Sequence, residues 1–366
     1  MIANRVKQYS NPLAYTLLAV DSVPLVGNPI TFPSIMQLDT SHFVVAYGIT
    51  AGSGRIMAIS CDLTYGDLAV TDWIEHDLGG AQYNSLIKID DTHIMLAYQS
   101  LPSFDGFLKV FTIDGSYEIT ETSSYEFETT LGEDMSLVQI DLTHYILACG
   151  GTDSDGFIKT FSIDGAYAFT ELHSLEHDTA KGGDNSLLKL DATHYILAYS
   201  GNGSDGFIKV FTIDGSYDIT ETSVLEHDTD GGVRNTLIQL DASHFALAYS
   251  ATTSYLGTLK TFSMDGAYAV TEIDAEIFRN DSCLYISACK VDSSHVIITY
   301  QGVDSDGFME VWGVDGAYAL SQTSSWEFST VDTGYFNAVQ ISLNYYIMAW
   351  NFEPVGNGNA GTFILS

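Results

Sequence analysis

The sequence predicts an all-β fold, a seven-bladed β-propeller with four antiparallel strands per blade and blade 7 completed by an N-terminal strand. Three observations predict it. A turn of the form Asp-x-Ser/Thr-His recurs at His42, His93, His144, His194, His244 and His295. Tyr345 fills the slot in a last copy, so the spacings are 51, 51, 50, 50, 51 and 50 residues. Each copy carries four short runs rich in β-branched and aromatic residues, a unit too small to bury its own faces, as in closed rings of blades. The first copy is preceded by an extra strand, and the last copy stops one strand short.

The elements are clearest in the fourth copy. Strand a is SLLKLD, strand b HYILAYS, strand c FIKVFTID and strand d ITETSVLEH, separated by Gly, Asp, Asn and Ser. Asp214-Gly215 and its equivalents mark the c-to-d hairpin, where glycine is expected to supply a positive backbone dihedral. A loop centred on Gly215 places Lys209 opposite Glu221, and likewise Lys109 with Glu121, Lys159 with Glu171 and Lys260 with Glu272. In the sixth copy both partners change, to Glu310 and Gln322, which removes a like-charge clash; in the first, Met57 lies near Val70. No segment keeps a helical period.

The same alignment accounts for both ends. AYTLLAVDS reads as a strand d placed ahead of the first strand a, and GTFILS reads as the strand c of the last blade. The N-terminal strand is expected to pair with it, with Ala19 opposite Ile364, and closure removes exposed sheet edges. This d-first order resembles the ring closure of WD-repeat propellers, and the blade length resembles that of kelch repeats. Runs such as SDGFIKTFSIDG resemble the repetitive propellers encoded by tailed viruses and environmental bacteria. That resemblance implies a surface or adhesion role. Residues 1–12 read as an N-terminal arm and 13–366 as one propeller domain.

Composition narrows the function classes. Thirteen basic residues against 47 acidic ones give a net charge of −34, so nucleic acid, which demands clustered cations, is not the expected partner. Apolar residues make up 46 % of the chain, enough for a large core, and no apolar stretch reaches the roughly 20 residues of a membrane helix. Membrane insertion is not expected. Cys61, Cys149, Cys283 and Cys289 follow neither a metal spacing nor a paired framework and read as buried thiols. No secretory apolar core stands near the N-terminus, so folding in a reducing cytoplasm is expected.

Few motifs carry chemistry. The turn histidines read as structural, with Asp191 accepting bonds within its own turn and His194 bonding an adjacent backbone. The b-to-c loops at 152–156, 202–206 and 303–307 read as Asp-Gly turns. A calcium reading would use Asp153, Asp155, Asp304 and Asp306. The Glu-His-Asp runs at 75–77, 176–178 and 226–228 repeat, which favours a strand-end role over catalysis. A ring of Gln37, Lys88, Gln139, Lys189, Gln239, Lys290 and Gln340 is expected to pair its lysines with turn aspartates. No Gly-x-Ser-x-Gly, phosphate loop or Cys/His nucleophile is present, and no cofactor is implied.

Ligand specificity in a repeated fold is sought where copies differ. Two residues before the Ser or Thr that opens strand a, the copies read Phe32, Tyr83, Asp134, Asp184, Arg234, Tyr285 and Tyr335. Around a ring, four aromatics then form one arc and three charged residues the other, at the mouth of the central channel. Aromatic faces beside polar groups suit a sugar or an extended peptide; the competing reading is that they only pack the rim. The expectation is a non-enzymatic binding module on a virus particle. It would contact other virion proteins and a host-surface glycan or protein, after assembly in the host cytoplasm. The alternatives are an intracellular scaffold and a glycoside hydrolase or lyase.

Overall fold

Seven antiparallel sheets follow one another along the chain in the computed structural model, which describes residues 7–9, 17–25, 29–50, 52–62, 64, 66–252, 255–330, 333–342, 345–352 and 357–365. Blade 4 shows the plan: strand a is Gly183–Lys189, b His194–Ser200, c Gly206–Ile213 and d Ile219–Asp228. Blades 1, 2, 3, 5 and 6 repeat the order a-b-c-d from strands beginning at Ile30, Ala81, Glu133, Val233 and Leu284. Burial grades outward from the middle of each sheet. Strand b is buried along almost its whole length, because both of its faces meet a neighbouring blade, and it accordingly reads as an unbroken apolar run. Strand d alternates exposed and half-buried residues, as an outer strand with one wet face should.

The core is divided among the seams between blades. Buried clusters join blades 7 and 1 through Phe43, Tyr47, Ile347 and Ala349, and blades 1 and 2 through Val44, Ala46, Ile94 and Leu96. Others fill the seams 2/3, 3/4, 4/5, 5/6 and 6/7. Every seam has its own cluster, so each blade is stabilised by both neighbours. The hydroxyl that opens strand a adds a polar tie across the seam: Ser34 Oγ accepts from the Leu86 N–H (3.0 Å), Ser136 Oγ from Leu187 (3.0 Å) and Ser186 Oγ from Leu237 (2.9 Å). In blade 7 the position is Asn337, whose Oδ1 takes the Ile35 N–H at 2.9 Å and ties the last blade to the first.

Blade 7 is assembled from both ends of the chain. Its strands a, b and c are Thr333–Ser342, Tyr345–Phe352 and Asn357–Leu365, and Leu17–Pro24 pairs antiparallel with the last as strand d. Ala19 lies opposite Phe363, and Leu18 opposite Ile364. The expected pairing of Ala19 with Ile364 is therefore one residue out, displaced towards a bulge between Ala19 and Asp21. Asp21 Oδ2 accepts the Leu68 N–H at 2.8 Å, just as Asp72 takes Ile119 and Asp274 takes Leu320. The N-terminal strand thus docks on blade 1 with the contact the other blades use. Residues 7–9 add a fifth strand to blade 6, pairing with Ser325–Glu327.

The c-to-d hairpin differs from expectation in its register and in its strained residue. Glu221 faces Phe211, because the turn centres on residue 216, and a bulge near residue 222 adds one more residue of offset so that Lys209 faces Val224. The ion pairs nevertheless form across that bulge, at 2.8 Å for Lys109–Glu121, 3.5 Å for Lys159–Glu171 and 2.9 Å for Lys209–Glu221 and Lys260–Glu272. In blade 1, Met57 faces Trp73 instead of Val70. In blade 6, Gln322 donates to Glu310 at 2.9 Å. The positive dihedral belongs to tyrosine: Tyr117, Tyr167, Tyr217, Tyr268 and Tyr318 have φ between 59° and 65°. Gly215 is not in that region and no Cβ there would meet a neighbour.

That strain, roughly 1 kcal/mol per residue or more, turns each tyrosine onto the preceding blade. Tyr217 stacks on His144 at 3.7 Å and its hydroxyl donates to Asp141 at 3.0 Å; Tyr117 does the same with His42 and Asp39 at 3.5 and 2.8 Å. The turn histidine bonds its own aspartate, His194 Nδ1 to Asp191 Oδ1 at 3.0 Å, and not an adjacent backbone. Against the burial that would raise it, the Ser41 N–H, the His42 ring and the Tyr117 hydroxyl hold Asp39 down to about 2. The Gln/Lys ring is a second seam device. Lys88 reaches the Leu38 carbonyl of the preceding blade (2.8 Å) as well as Asp91 (2.9 Å), and Gln340 reaches the Val291 carbonyl (2.8 Å). Neighbouring carbonyls, more than turn aspartates, are its partners.

The Glu-His-Asp runs end strand d with a buried ring. His76, His177 and His227 are 3, 8 and 6 % exposed, and none of their ring nitrogens has a hydrogen-bond partner. Blades 2, 5 and 6 place Phe127, Phe278 and Phe328 in the same slot, against the same glycine of strand c. The slot therefore wants an aromatic disc. Burial first, then the nearby lysine, pushes these imidazoles down to about 3. A depressed histidine leaves stability intact above its unfolded value near 6.5 and loses it as pH falls from there towards 3. His177→Phe is expected to remove one such load, gaining about 2–3 kcal/mol over wild type at pH 4.5 relative to pH 7. Urea unfolding at the two pH values measures it, and parallel pH profiles for variant and wild type would rule out the neutral buried ring.

Candidate functional site

All seven residues of the predicted rim line one cavity of about 480 Å³ at the channel mouth. Local backbone geometry places them there. In each blade two residues of strand a stand opposite one residue of strand b, as Asp184 and Asn185 face Tyr199, and the first of the two is the rim residue. Every rim residue has positive φ: Phe32 46°, Tyr83 51°, Asp134 50°, Asp184 53°, Arg234 59°, Tyr285 50° and Tyr335 53°. None is glycine. A left-handed backbone costs roughly 1 kcal/mol or more at a non-glycine residue, so the ring concentrates several kcal/mol of strain around one opening. The start of strand a adjoins the end of strand b, which puts this opening on the side of the b-to-c loops.

The rim divides as its sequence order implies. Tyr285 and Tyr335 have ring centroids 4.2 Å apart, Tyr335 and Phe32 4.8 Å, and Phe32 and Tyr83 4.4 Å, a continuous aromatic wall from blade 6 through 7 and 1 to 2. Arg234 ends that wall with its guanidinium 6.0 Å from the Tyr285 ring. Asp134 and Asp184 make up the rest. The Arg234 N–H donates to Asp184 Oδ1 at 2.8 Å. Burial first, and then the charges of Asp184 and Glu133, drive the Asp134 carboxyl well above the usual carboxylate range. Burial raises Asp184 too, opposed by the Arg234 N–H and by the charges of Lys181 and Arg234. Both carboxyls of the pair are thus held above the ordinary range, with burial as the leading cause.

A second tier lines the same cavity and is not flagged by the repeat comparison. Asn84, Asn185 and Asn235 follow the rim residue in blades 2, 4 and 5. Their amide nitrogens donate to the rim carbonyls of the preceding blade, Phe32 (3.0 Å), Asp134 (3.0 Å) and Asp184 (3.2 Å). These bonds hold the strained bulges in place. The signal was an Asn recurring next to the varying position in three copies.

Other candidates are not assembled into sites. Among the described residues no three His, Cys, Asp or Glu side chains converge to hold a metal. Asp153 and Asp304 take φ of 62° and 57° in short 3₁₀ turns, Thr152–Ser154 and Val303–Ser305. Asp155 and Asp306 end those turns, with their carbonyls accepting from Gly151 and Gly302 at 2.9 Å. All four cysteines are unpaired; burial pushes the Cys61 and Cys149 thiols up to about 11 and 12. Among the described residues no helix is long and apolar enough to cross a membrane.

No family model matches the chain, and no curated protein matches its sequence. Solved structures do match in shape. A Lactobacillus plantarum protein is 14 % identical with a TM-score of 0.60, covering 89 % of this chain and 94 % of its own. A candidate 6-phosphogluconolactonase from Bacteroides fragilis is 12 % identical with a TM-score of 0.62, covering 79 and 82 %. A Dyadobacter fermentans protein of unknown function is 11 % identical with a TM-score of 0.57, covering 96 and 99 %. At these identities the likeness is one of fold.

The carboxyl pair makes a prediction about stability. A raised native pKa favours the folded state at acid pH, and that benefit is lost as pH rises from the unfolded value near 4 through the native one. Asp134→Asn, which keeps the shape and tolerates positive φ, is expected to stabilise the protein at pH 9 and to do so progressively less towards pH 5. Denaturation midpoints across that range decide it; a gain that does not grow with pH contradicts the shared buried charge.

Proposed function

We propose that this chain is a non-catalytic binding module that holds a sugar in the mouth of its central channel. The observation that carries the reading is the convergence of seven strained side chains, of four kinds, on one cavity of about 480 Å³. Small-ligand pockets run from about 300 to 1,000 Å³ and combine apolar walls with a few placed polar groups. Here the aromatic wall offers faces to the C–H side of a pyranose, and Asp134, Asp184 and Arg234 offer hydrogen bonds that fix its orientation. Strain retained at non-glycine positions supports use of the site, since glycine at any of them would remove the backbone penalty.

The finer reading is a host glycan bound by a protein displayed on a particle surface among other virion proteins. Support for it comes from the tandem sequence, which resembles the propellers of tailed viruses, and from the net charge of −34, which favours a well-solvated exterior. The phosphorylated lactone implied by the name of the Bacteroides protein suits this rim poorly. Arg234 is the one cation among the rim residues, against two carboxyls. A second reading, glycoside hydrolysis, is favoured by the buried pair Asp134 and Asp184, both raised, because such enzymes work with two carboxyls, one of them held protonated.

Glycan-array binding of wild type and of the Tyr83→Ala/Tyr335→Ala double variant tests the proposal. The variant is expected to lose roughly 5- to 30-fold in affinity for whichever sugar binds, on the basis of about 1–2 kcal/mol for the two stacking faces. Equal binding by a folded variant would move the ligand elsewhere, and release of free sugar by wild type would favour the hydrolase.

A further inference from the structure

One side chain of the rim has donors and no acceptor to meet them. Arg234 is the one cation among the residues that line the cavity. Its guanidinium makes no hydrogen bond or ion pair with any described residue; the only bond of Arg234 in the rim runs from its backbone. Its contact with the Tyr285 ring, at 6.0 Å from the centroid, lies at the outer reach of a cation–π attraction. The guanidinium nitrogens also remain accessible, in contrast to the amide oxygens of the second tier, which are sealed. A guanidinium presents five N–H donors in a planar fork and keeps its charge at any ordinary pH. What fills that fork must come from outside the chain.

The neighbours of Arg234 leave it free for this. Asp184 precedes it around the ring, yet Asp184 Oδ1 accepts the Arg234 backbone N–H at 2.8 Å, and no side-chain bridge joins the two. The left-handed backbone, with φ of 59°, turns the N–H to blade 4 while the side chain leans on Tyr285 of blade 6. Because burial holds Asp134 and Asp184 above the ordinary carboxylate range, the pair offsets less of the guanidinium charge than two ordinary aspartates would. On the other side stand Tyr285 and Tyr335, with ring centroids 4.2 Å apart. Burial first, and then Tyr285, pushes the Tyr335 hydroxyl up, against the opposing charge of Arg234. That hydroxyl is thus within electrostatic reach of the guanidinium and stays a neutral O–H donor at ordinary pH.

This arc of the cavity therefore offers donors, one fixed positive charge and flat apolar faces. A carboxylate fits a guanidinium through two parallel N–H···O bonds. A phosphate ester, with about two charges at neutral pH, calls for more cations than one.

We propose that the channel mouth selects an acidic sugar, a pyranose carrying one carboxylate, with that carboxylate on the Arg234 guanidinium and the ring face against Tyr285 and Tyr335. This rests on the sugar-binding reading and adds the charged substituent to it. A carboxylate projects from the edge of a pyranose, so it meets the guanidinium at the end of the wall while the C–H face stays on the aromatic rings. The net charge of −34 does not forbid such a ligand, because at 0.15 M salt exposed charges more than about 8 Å away are largely screened.

Calorimetric titration of the intact chain with methyl glucuronide, the neutral amide of the same sugar and methyl glucoside, at pH 6.5 and 0.15 M salt, tests it; the galacto series is run in parallel. In at least one series the acid is expected to bind tenfold or more tightly than both neutral analogues. On the glycan array the hits are expected to carry a carboxylate. Arg234→Gln, which keeps the backbone N–H on Asp184, is expected to bring the acid-to-amide ratio towards one. Arg55→Gln removes a cation that pairs with Glu75 at 3.0 Å outside the cavity, and is expected to leave the ratio unchanged. Equal affinities for acid and neutral forms in wild type, or array hits that lack a carboxylate, would overturn the carboxylate seat and leave the sugar reading standing. A preference that survives in Arg234→Gln, or falls equally in Arg55→Gln, would also overturn it. The wild-type comparison decides the matter even where Arg234→Gln does not fold. Failure of every sugar in both series, together with an empty glycan array, would remove both readings.

Discussion

No blade of this protein can bury its own faces, and the rest of the structure follows from that. A four-stranded sheet has two apolar sides, and each finds its cover only in the next sheet, so the buried clusters sit in the seams. The seams are then reinforced by groups that repeat with the blade. The Ser or Asn at the start of strand a, the Gln/Lys ring and the Tyr-His-Asp contact each tie one blade to its neighbour. Closure through the N-terminal strand gives blade 7 the same two neighbours as every other blade.

Strain is distributed according to what it achieves. At the c-to-d turn the same residue, tyrosine, carries the positive φ in five blades and spends it on a contact across the seam. At the channel mouth the backbone strain is just as regular, but the side chains vary around the ring, aromatic on one arc and charged on the other. Identical backbone with varied side chains is what a binding rim requires: the scaffold fixes where each group stands, and the sequence chooses its chemistry. The buried carboxyl pair and the amide oxygens without donors add a further penalty in the same place, and their concentration there marks the mouth as the part of the fold not optimised for stability.

The repeat made much of this legible. Aligning copies gives strand order, ring closure and the rim positions, because period and variation are properties of the linear chain. It misplaced the hairpin register by treating Gly215 as the turn centre, where the strands pair about residue 216, and the bulge that shifts Lys209 further leaves no mark in composition. It also missed the tyrosine contact, although Asp-Gly-Ser/Ala-Tyr recurs in five copies, because a residue in a turn shows its partner only when the neighbouring blade is in place. The second-tier asparagines escaped for a related reason. Asn185 reads as an ordinary polar residue until its amide is seen bonded to the carbonyl of Asp134, 51 positions earlier.

The sequence by itself determined the number of blades, the strand that closes the ring and the identity of the side chains at its mouth, because each is written as a period or as a departure from it. Tertiary structure alone decided which backbone positions are left-handed, which ring pairs with which aspartate, and which buried oxygens lack a donor. Those depend on contacts between blades, where distances of about 3 Å are set by packing that no single copy contains.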